Sequence, residues 1–455
     1  MQTSKIRKLK AFLVPFLVII FLCVSEAGIG YLVVPVNSAT YLKKEISEYK
    51  EKGIDAGIVF LGSSRVYHGF VPEIFEKKLG MDLVINAGSG TQRPESSYYL
   101  LRDLYEQVHP RIVVLGIQWN GILKESTDAQ RLESAVTACD RMSLKGKMRY
   151  VPEYLFSAQL PYFCNMYRHK ENFRFDKIKE NIEKHKKLDS EGIVVDKNKE
   201  SYYYGKGFIY SNIHCEAGNI PVMDELQDHF SVDEIDESKV RYIDKIYEFC
   251  KKNDIRLILT ATPVSMMNMY HIGGYEDAVR YYEEYAEEKG IAFHNLNYLK
   301  GREEFITDEM MADYVHLSGD TAIMLSELYA DILKQELEGG DVSGYFYRDM
   351  ESMKADVNRV VALKASVKAN GYDSDHIQIS ALANEGEKIL YRVEAGTDDS
   401  EESVILCDWT TEKDIDVDIP ERYDKLIVKA CIEGDESNYA WQEYPVKRAE
   451  AGDTE

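Results

Sequence analysis

A chain of 455 residues is too long for one ordinary domain and suits two plus an anchor. With 45% hydrophobic and 29% charged residues its composition is globular, and a formal net charge of −23 argues against binding nucleic acid or other polyanions through bulk electrostatics. Any contact with a negatively charged polymer would have to be local. The 32 tyrosines suit sugar-facing surfaces and interfaces, and equally fit a simple usage bias.

The N-terminus carries the first strong signal. Lys5, Arg7, Lys8 and Lys10 precede the apolar run "AFLVPFLVIIFLCVS", and "AGIGYLVV" resumes it after a single Glu26. Residues 11–34 can cross a hydrocarbon core of ~30 Å as a helix, with the basic flank held on the cytoplasmic side. The expectation is an uncleaved single-pass anchor over residues 1–36, with everything beyond it outside the cytoplasm. The competing reading is a signal peptide cleaved near "SEAG". Cys23 lies in this run. The other six cysteines show no C-x-x-C spacing, which disfavours a zinc or redox motif, while disulfides stay permitted but unassigned.

A polar helical linker is expected over residues 37–53. From there apolar runs alternate with helical periodicity. "AGIVFL", "DLVINA", "RIVVLGI", "IRLILTAT" and "IAFHNL" read as strands, separated by helix-like stretches such as "PESSYYLLRDLYEQVH" and "SGDTAIMLSELYADILKQEL". Continuous apolar runs between amphipathic helices predict an α/β domain, a flavodoxin-like doubly wound parallel sheet over residues 54–337. The alternation breaks down over residues 121–235, an insertion with a charged helical stretch and the aromatic "ESYYYGKGFIYSN". A linker follows over residues 338–358. Short alternating segments then predict an all-β sandwich domain of Ig-like pattern over residues 359–448, and residues 449–455 read as a tail.

Ligands of doubly wound sheets bind beyond the carboxyl ends of the strands, where Gly62-Ser63-Ser64 falls. "DYVHLS" places Asp313 three positions before His316, just ahead of the last long helix of that domain. A carboxylate and an imidazole in one tight turn can meet, leaving the second ring nitrogen for a hydroxyl from elsewhere in the chain. The histidines form no H-x-x-x-H or Cys/His cluster, so neither a metal nor another cofactor is expected.

With "FLGSSRV" and "DYVHLS" in place, the chain resembles the SGNH (GDSL-type) hydrolase superfamily over most of residues 54–337. The resemblance implies Ser64 as nucleophile, with Ser63 where many members have Asp, and His316 oriented by Asp313 as base. It also implies an oxyanion hole built from the Ser64 N–H, a glycine of "INAGSGTQ" and an amide of "VVLGIQWNG". Gly88 is preferred slightly over Gly90. Direct register sets Gln118 where the family has Asn, with Asn120 two places on. The "GSSR" form and the anchor are similar to DltD-type proteins of teichoic-acid D-alanylation and to exopolysaccharide acetyltransferases. That similarity implies an extracytoplasmic serine esterase or acyltransferase acting on O-acyl groups of a wall, capsular or teichoic-acid polymer, with a membrane acyl-transferring partner. The alternative is a non-catalytic glycan-binding or scaffold component of such a machine.

Overall fold

Five short apolar runs form one parallel sheet in the computed structural model, which describes residues 28–124, 128–154, 157–215, 229–357, 359–369, 376–383, 388–397 and 400–446. Strands β1 (Ile58–Leu61), β2 (Val84–Asn86) and β3 (Ile112–Ile117) come first. Strands β4 (Ser201–Gly205) and β5 (Phe208–Ser211) pair as a separate hairpin, and β6 (Arg256–Ala261) and β7 (Ala292–Asn295) complete the sheet. Its order is β2-β1-β3-β6-β7, the doubly wound arrangement expected from the sequence. Because side chains alternate across a strand, each run feeds two cores. Val59, Leu61, Val113 and Leu115 pack with Leu100, Leu104 and Ile246 on one face. Ile58, Phe60, Ile112 and Val114 pack with Phe75, Leu325 and Tyr329 on the other. Burial on both faces is why these strands read as continuous apolar runs. The direction of winding reverses between β1 and β3, so a crevice opens at their carboxyl ends.

The insertion contributes the helices Asp128–Arg141, Leu144–Tyr150 and Phe175–Glu191 and the β4–β5 hairpin. The hairpin turn is fastened to the edge of the main sheet, where the Asn86 N–H donates to Lys206 O at 2.8 Å. That contact also covers an edge strand that would otherwise present unpaired backbone groups. Gly207 makes the close approach possible: its φ is +94°, and a Cβ there would lie 1.7 Å from Asn86 O.

The stretch expected as a helical linker over residues 37–53 is helical, and both it and the second expected linker pack on the α/β body. The helix Ser38–Glu51 starts at an Asn37 capping box and buries Ala39, Leu42 and Ile46, a stripe at helical spacing. Met350 and Met353 of the helix Met350–Val357 are likewise buried against the α/β body. Of the predicted membrane span, residues 28–33 are helical and residues 11–27 lie outside the described residues. Val33 is buried, and the side-chain amides of Asn172 and Asn181 donate to Val33 O and Leu32 O at 2.9 and 3.1 Å. The end of the apolar run thus rests on the insertion. No described helix is long and apolar enough to cross a membrane.

The C-terminal region forms two antiparallel sheets from β8 (Leu363–Ala369), β9 (His376–Ala383), β10 (Ile389–Thr397), β11 (Ser400–Thr410), β12 (Asp414–Asp418), β13 (Lys425–Ile432) and β14 (Ala440–Pro445). Their orders are β12-β9-β8 and β11-β10-β13-β14. Leu363, Ile415 and Val417 from one sheet share a core with Tyr391, Val393, Leu426 and Val428 from the other. The six described cysteines are free thiols.

Replacing Gly207 by Ala is expected to destabilise the protein by more than about 2 kcal/mol in urea unfolding, since strain at positive φ adds to a backbone clash. Gly53→Ala isolates the strain alone, because nothing lies within 4 Å of its Cβ position at φ +66°, and should cost only about 1 kcal/mol. Equal losses at the two sites would contradict the proposed fastening.

Candidate active site

β1 runs out at Leu61, and the chain turns through Gly62 and Ser63 into the four-residue helix Ser64–Tyr67. That helix can sit on the strand ends because three glycines clear room for Val66. A Cβ on Gly62 or Gly116 would lie 2.6 or 2.3 Å from Val66 Cγ2, and one on Gly88 would lie 3.2 Å from Val66 Cβ. These glycines come from the ends of β1, β3 and β2. Gly62 also has φ +145°, which side-chain-bearing residues rarely adopt. The corner leaves Ser64 partly exposed while Ser63, Arg65 and Val66 are buried.

The second half of the site is the turn before the helix Gly319–Leu337. Asp313 Oδ1 accepts the N–H groups of Val315 and His316 at 2.8 and 2.9 Å, which closes the turn. Its Oδ2 lies 2.7 Å from His316 Nδ1, and His316 Nε2 lies 2.6 Å from Ser64 Oγ. With the Nδ1 proton facing the carboxylate, Nε2 is left to accept the serine proton. Burial alone would raise the Asp313 carboxyl. The hydrogen bond and charge of His316, with the two backbone N–H groups, outweigh it and hold the group below the usual range. The turn is anchored from outside: Tyr314 O accepts the Ser265 N–H at 3.1 Å and the Asn268 side-chain amide at 2.7 Å. Ser64 and a turn whose His316 lies 252 residues further along the chain thus form one continuous hydrogen-bonded line of three side chains.

The expected oxyanion donors divide. The Gly88 N–H, preferred from the sequence, donates instead to Asn86 Oδ1 at 3.2 Å. Gly88 serves close packing under the serine helix, with its Cβ position 3.0 Å from Ser63 O and Tyr67 N. The Ser64 and Gly90 N–H groups are engaged by no described residue and remain available as donors. The Gln118 side-chain amide donates to Ser63 Oγ. Ser63 and Gln118, the residues at which the sequence departs from the pattern it resembles, therefore touch each other. Asn120 lies beside them, on a cavity of about 340 Å³ also lined by Ser63, Gln92, Gln118 and Tyr282. Gly90 faces a different cavity, of about 620 Å³, together with Tyr67 and His68.

His68 was not singled out from the sequence, although it lies one helical turn beyond Ser64 and so on the same helix face. Its ring sits edge-on to His316 with 5.3 Å between centroids, and its Nδ1 lies 2.9 Å from Ile209 O of the hairpin. Burial, then the neighbouring His316 charge, pushes His68 down to about 4. The imidazole beside His316 is therefore neutral and does not compete for Asp313.

Comparison with protein-family models and with curated proteins returns no match. Among solved structures the chain is similar to a GDSL-like lipase from Bacteroides thetaiotaomicron, at 12% identity and TM-score 0.30, over 66% of this chain and 100% of that one. It is similar to a putative acylhydrolase from Bacteroides fragilis at 12% identity and TM-score 0.28, over 65% of this chain and 96% of that one. A putative platelet activating factor from Streptococcus pneumonia stands at 13% identity and TM-score 0.30, over 64% and 91%. At such scores these likenesses carry no argument, and the reading of the site rests on its own side chains.

The low value for His68 fixes a sign. Between about pH 4 and 6.5 the unfolded chain binds the proton that the folded chain refuses, so stability rises with pH across this window and is lost on acidification. A shift of this size is worth up to about 3 kcal/mol. His68→Gln should flatten the rise in unfolding free energy measured from pH 4.5 to 6.5, whereas an unchanged slope would place the proton elsewhere.

Proposed function

We propose that this chain is a serine esterase or acyltransferase working through an acyl-serine intermediate. The observation that carries the reading is the unbroken line from Asp313 through His316 to the Ser64 hydroxyl. Ser64 Oγ attacks an ester carbonyl carbon while His316 Nε2 takes its proton. The resulting oxyanion is received by the Ser64 and Gly90 N–H groups. Collapse breaks the bond to the leaving alkoxide, which departs with the proton from His316 and leaves the acyl group esterified to Ser64. Water or a sugar hydroxyl then attacks that ester, with His316 again accepting and returning the proton. Asp313 stays ionised throughout, holding the ring's orientation and balancing the imidazolium charge.

The resemblance to SGNH hydrolases that handle envelope polymers supports a narrower version. In it the substrate is an O-acyl group of a wall, capsular or teichoic-acid polymer, reached from a membrane anchor outside the cytoplasm with a membrane acyltransferase as partner. The weight behind that version is the basic and apolar N-terminus and the "GSSR" corner, and it is analogy at the level of the fold. A non-catalytic glycan-binding role gains from one observation: Gly88 and Gln118, two of the expected donors, are engaged with Asn86 and Ser63.

The two readings part on covalent chemistry. A fluorophosphonate probe should label the full-length protein, and Ser64→Ala should abolish labelling. Ser63→Ala should keep most of it. Asp313→Asn should lower the rate of aryl-acetate hydrolysis by about 10⁴-fold, as expected when the imidazole is left in the wrong tautomer. Labelling that survives Ser64→Ala removes this serine as nucleophile, and no labelling of the unaltered protein favours the glycan-binding role.

A further inference from the structure

The cavity of about 620 Å³ beside His68 and Gly90 has a cation in its wall that the chemistry at Ser64 does not use. Arg141 is the last residue of the helix Asp128–Arg141 and is only 9% exposed. Its Nη1 donates to Thr137 O at 3.2 Å, one turn back on its own helix. Its Nε is buried with no hydrogen-bond partner, and no described carboxylate lies within ion-pair distance of the guanidinium. The nearest acid in sequence, Asp140, is held at 2.7 Å by Arg168. An arginine at a helix C-terminus ordinarily reaches solvent while bonding the last carbonyls. A buried guanidinium without a counter-charge is costly, and a fork of planar donors matches a carboxylate or phosphate.

A second feature of the same wall points the same way. The helix Ser38–Glu51 begins here, with Asn37, Ser38 and Ala39 lining the cavity. The capping box engages the Thr40 N–H, and no described residue accepts from the N–H groups of Ser38 and Ala39. The positive end of a fourteen-residue helix and a buried arginine without an ion-pair partner among the described residues thus share one chamber. The acidic residues on this wall beyond Asp140 are Glu133 and Asp196, and both are exposed.

We propose that this chamber binds an anionic substituent, a carboxylate or a phosphate, of the saccharide that brings the ester to Ser64, with Arg141 as its anchor. With the exposed Lys199 on the same wall, Arg141 supplies the local cationic contact that a chain of net charge −23 needs to hold a negatively charged ligand. The inference rests on the esterase reading only in naming the bound group as part of the substrate.

The test uses full-length protein carrying Ser64→Ala, so that nothing is turned over. Glucuronate, glucose 6-phosphate and glucose are titrated in turn, and binding is followed by ligand-observed NMR. One of the two anionic sugars should bind at least about tenfold more tightly than glucose, and which one does distinguishes a uronate from a sugar phosphate. Arg141→Gln in the same background should erase the difference, and Arg141→Lys, which keeps the charge but not the fork, should restore part of it. If neither anionic sugar outbinds glucose with Arg141 intact, the proposal is overturned, and this arm involves no change at the buried position. Unchanged discrimination in Arg141→Gln overturns it as well. Because Ser64 is absent, either failure leaves the esterase reading standing.

Discussion

The placement of Ser64 depends on the space around one side chain. Val66 sits among Gly62, Gly116 and Gly88, at the ends of three adjacent strands, and a methyl group on any of them would push into it or its helix backbone. Only this clearance lets a four-residue helix lie across the carboxyl edge of the sheet with its first hydroxyl turned outward. The winding reverses at the same edge, so the crevice opened by topology and the corner opened by glycine coincide.

The partner of that hydroxyl is fixed by a different means. The Asp313–His316 turn is tied by its own carboxylate and anchored at Tyr314 by Ser265 and Asn268, the N-cap and a residue of the short helix Met266–His271 that follows β6. The loops that follow β1 and β6 therefore set the separation between Ser64 and the imidazole. The insertion adds the third constraint. Its hairpin is bound to β2 through Lys206 and to His68 through Ile209, so an element far from the serine in sequence bears on the ring that packs against His316.

Much of this was legible in the sequence, for identifiable reasons. The five strands are buried on both faces, so each shows as an apolar run. Ser64, Asp313 and His316 carry their signal in short-range spacing and in position relative to strand and helix. What escaped reading depends on contacts that spacing does not encode. Gly88 looked like a donor, but the Asn86 side chain two residues earlier folds back to take its N–H. The packing of residues 37–53, read as a polar helical linker, was hidden because only Ala39, Leu42 and Ile46 of that helix are fully buried. Arg141 belongs to no motif, and its burial in the wall of a cavity shared with the start of the helix Ser38–Glu51 is a tertiary feature that spacing does not encode.

The central claim is that an imidazole held by a carboxylate makes one particular hydroxyl nucleophilic. The most direct measurement is to quench the protein in acid during turnover of an activated aryl ester and map the covalent adduct by peptide mass spectrometry. The account predicts a single acyl group per chain, on the Ser64 hydroxyl, that accumulates only when His316 is intact. An adduct on Ser63 or another residue, or acylation that persists in His316→Ala at the same rate, would contradict it.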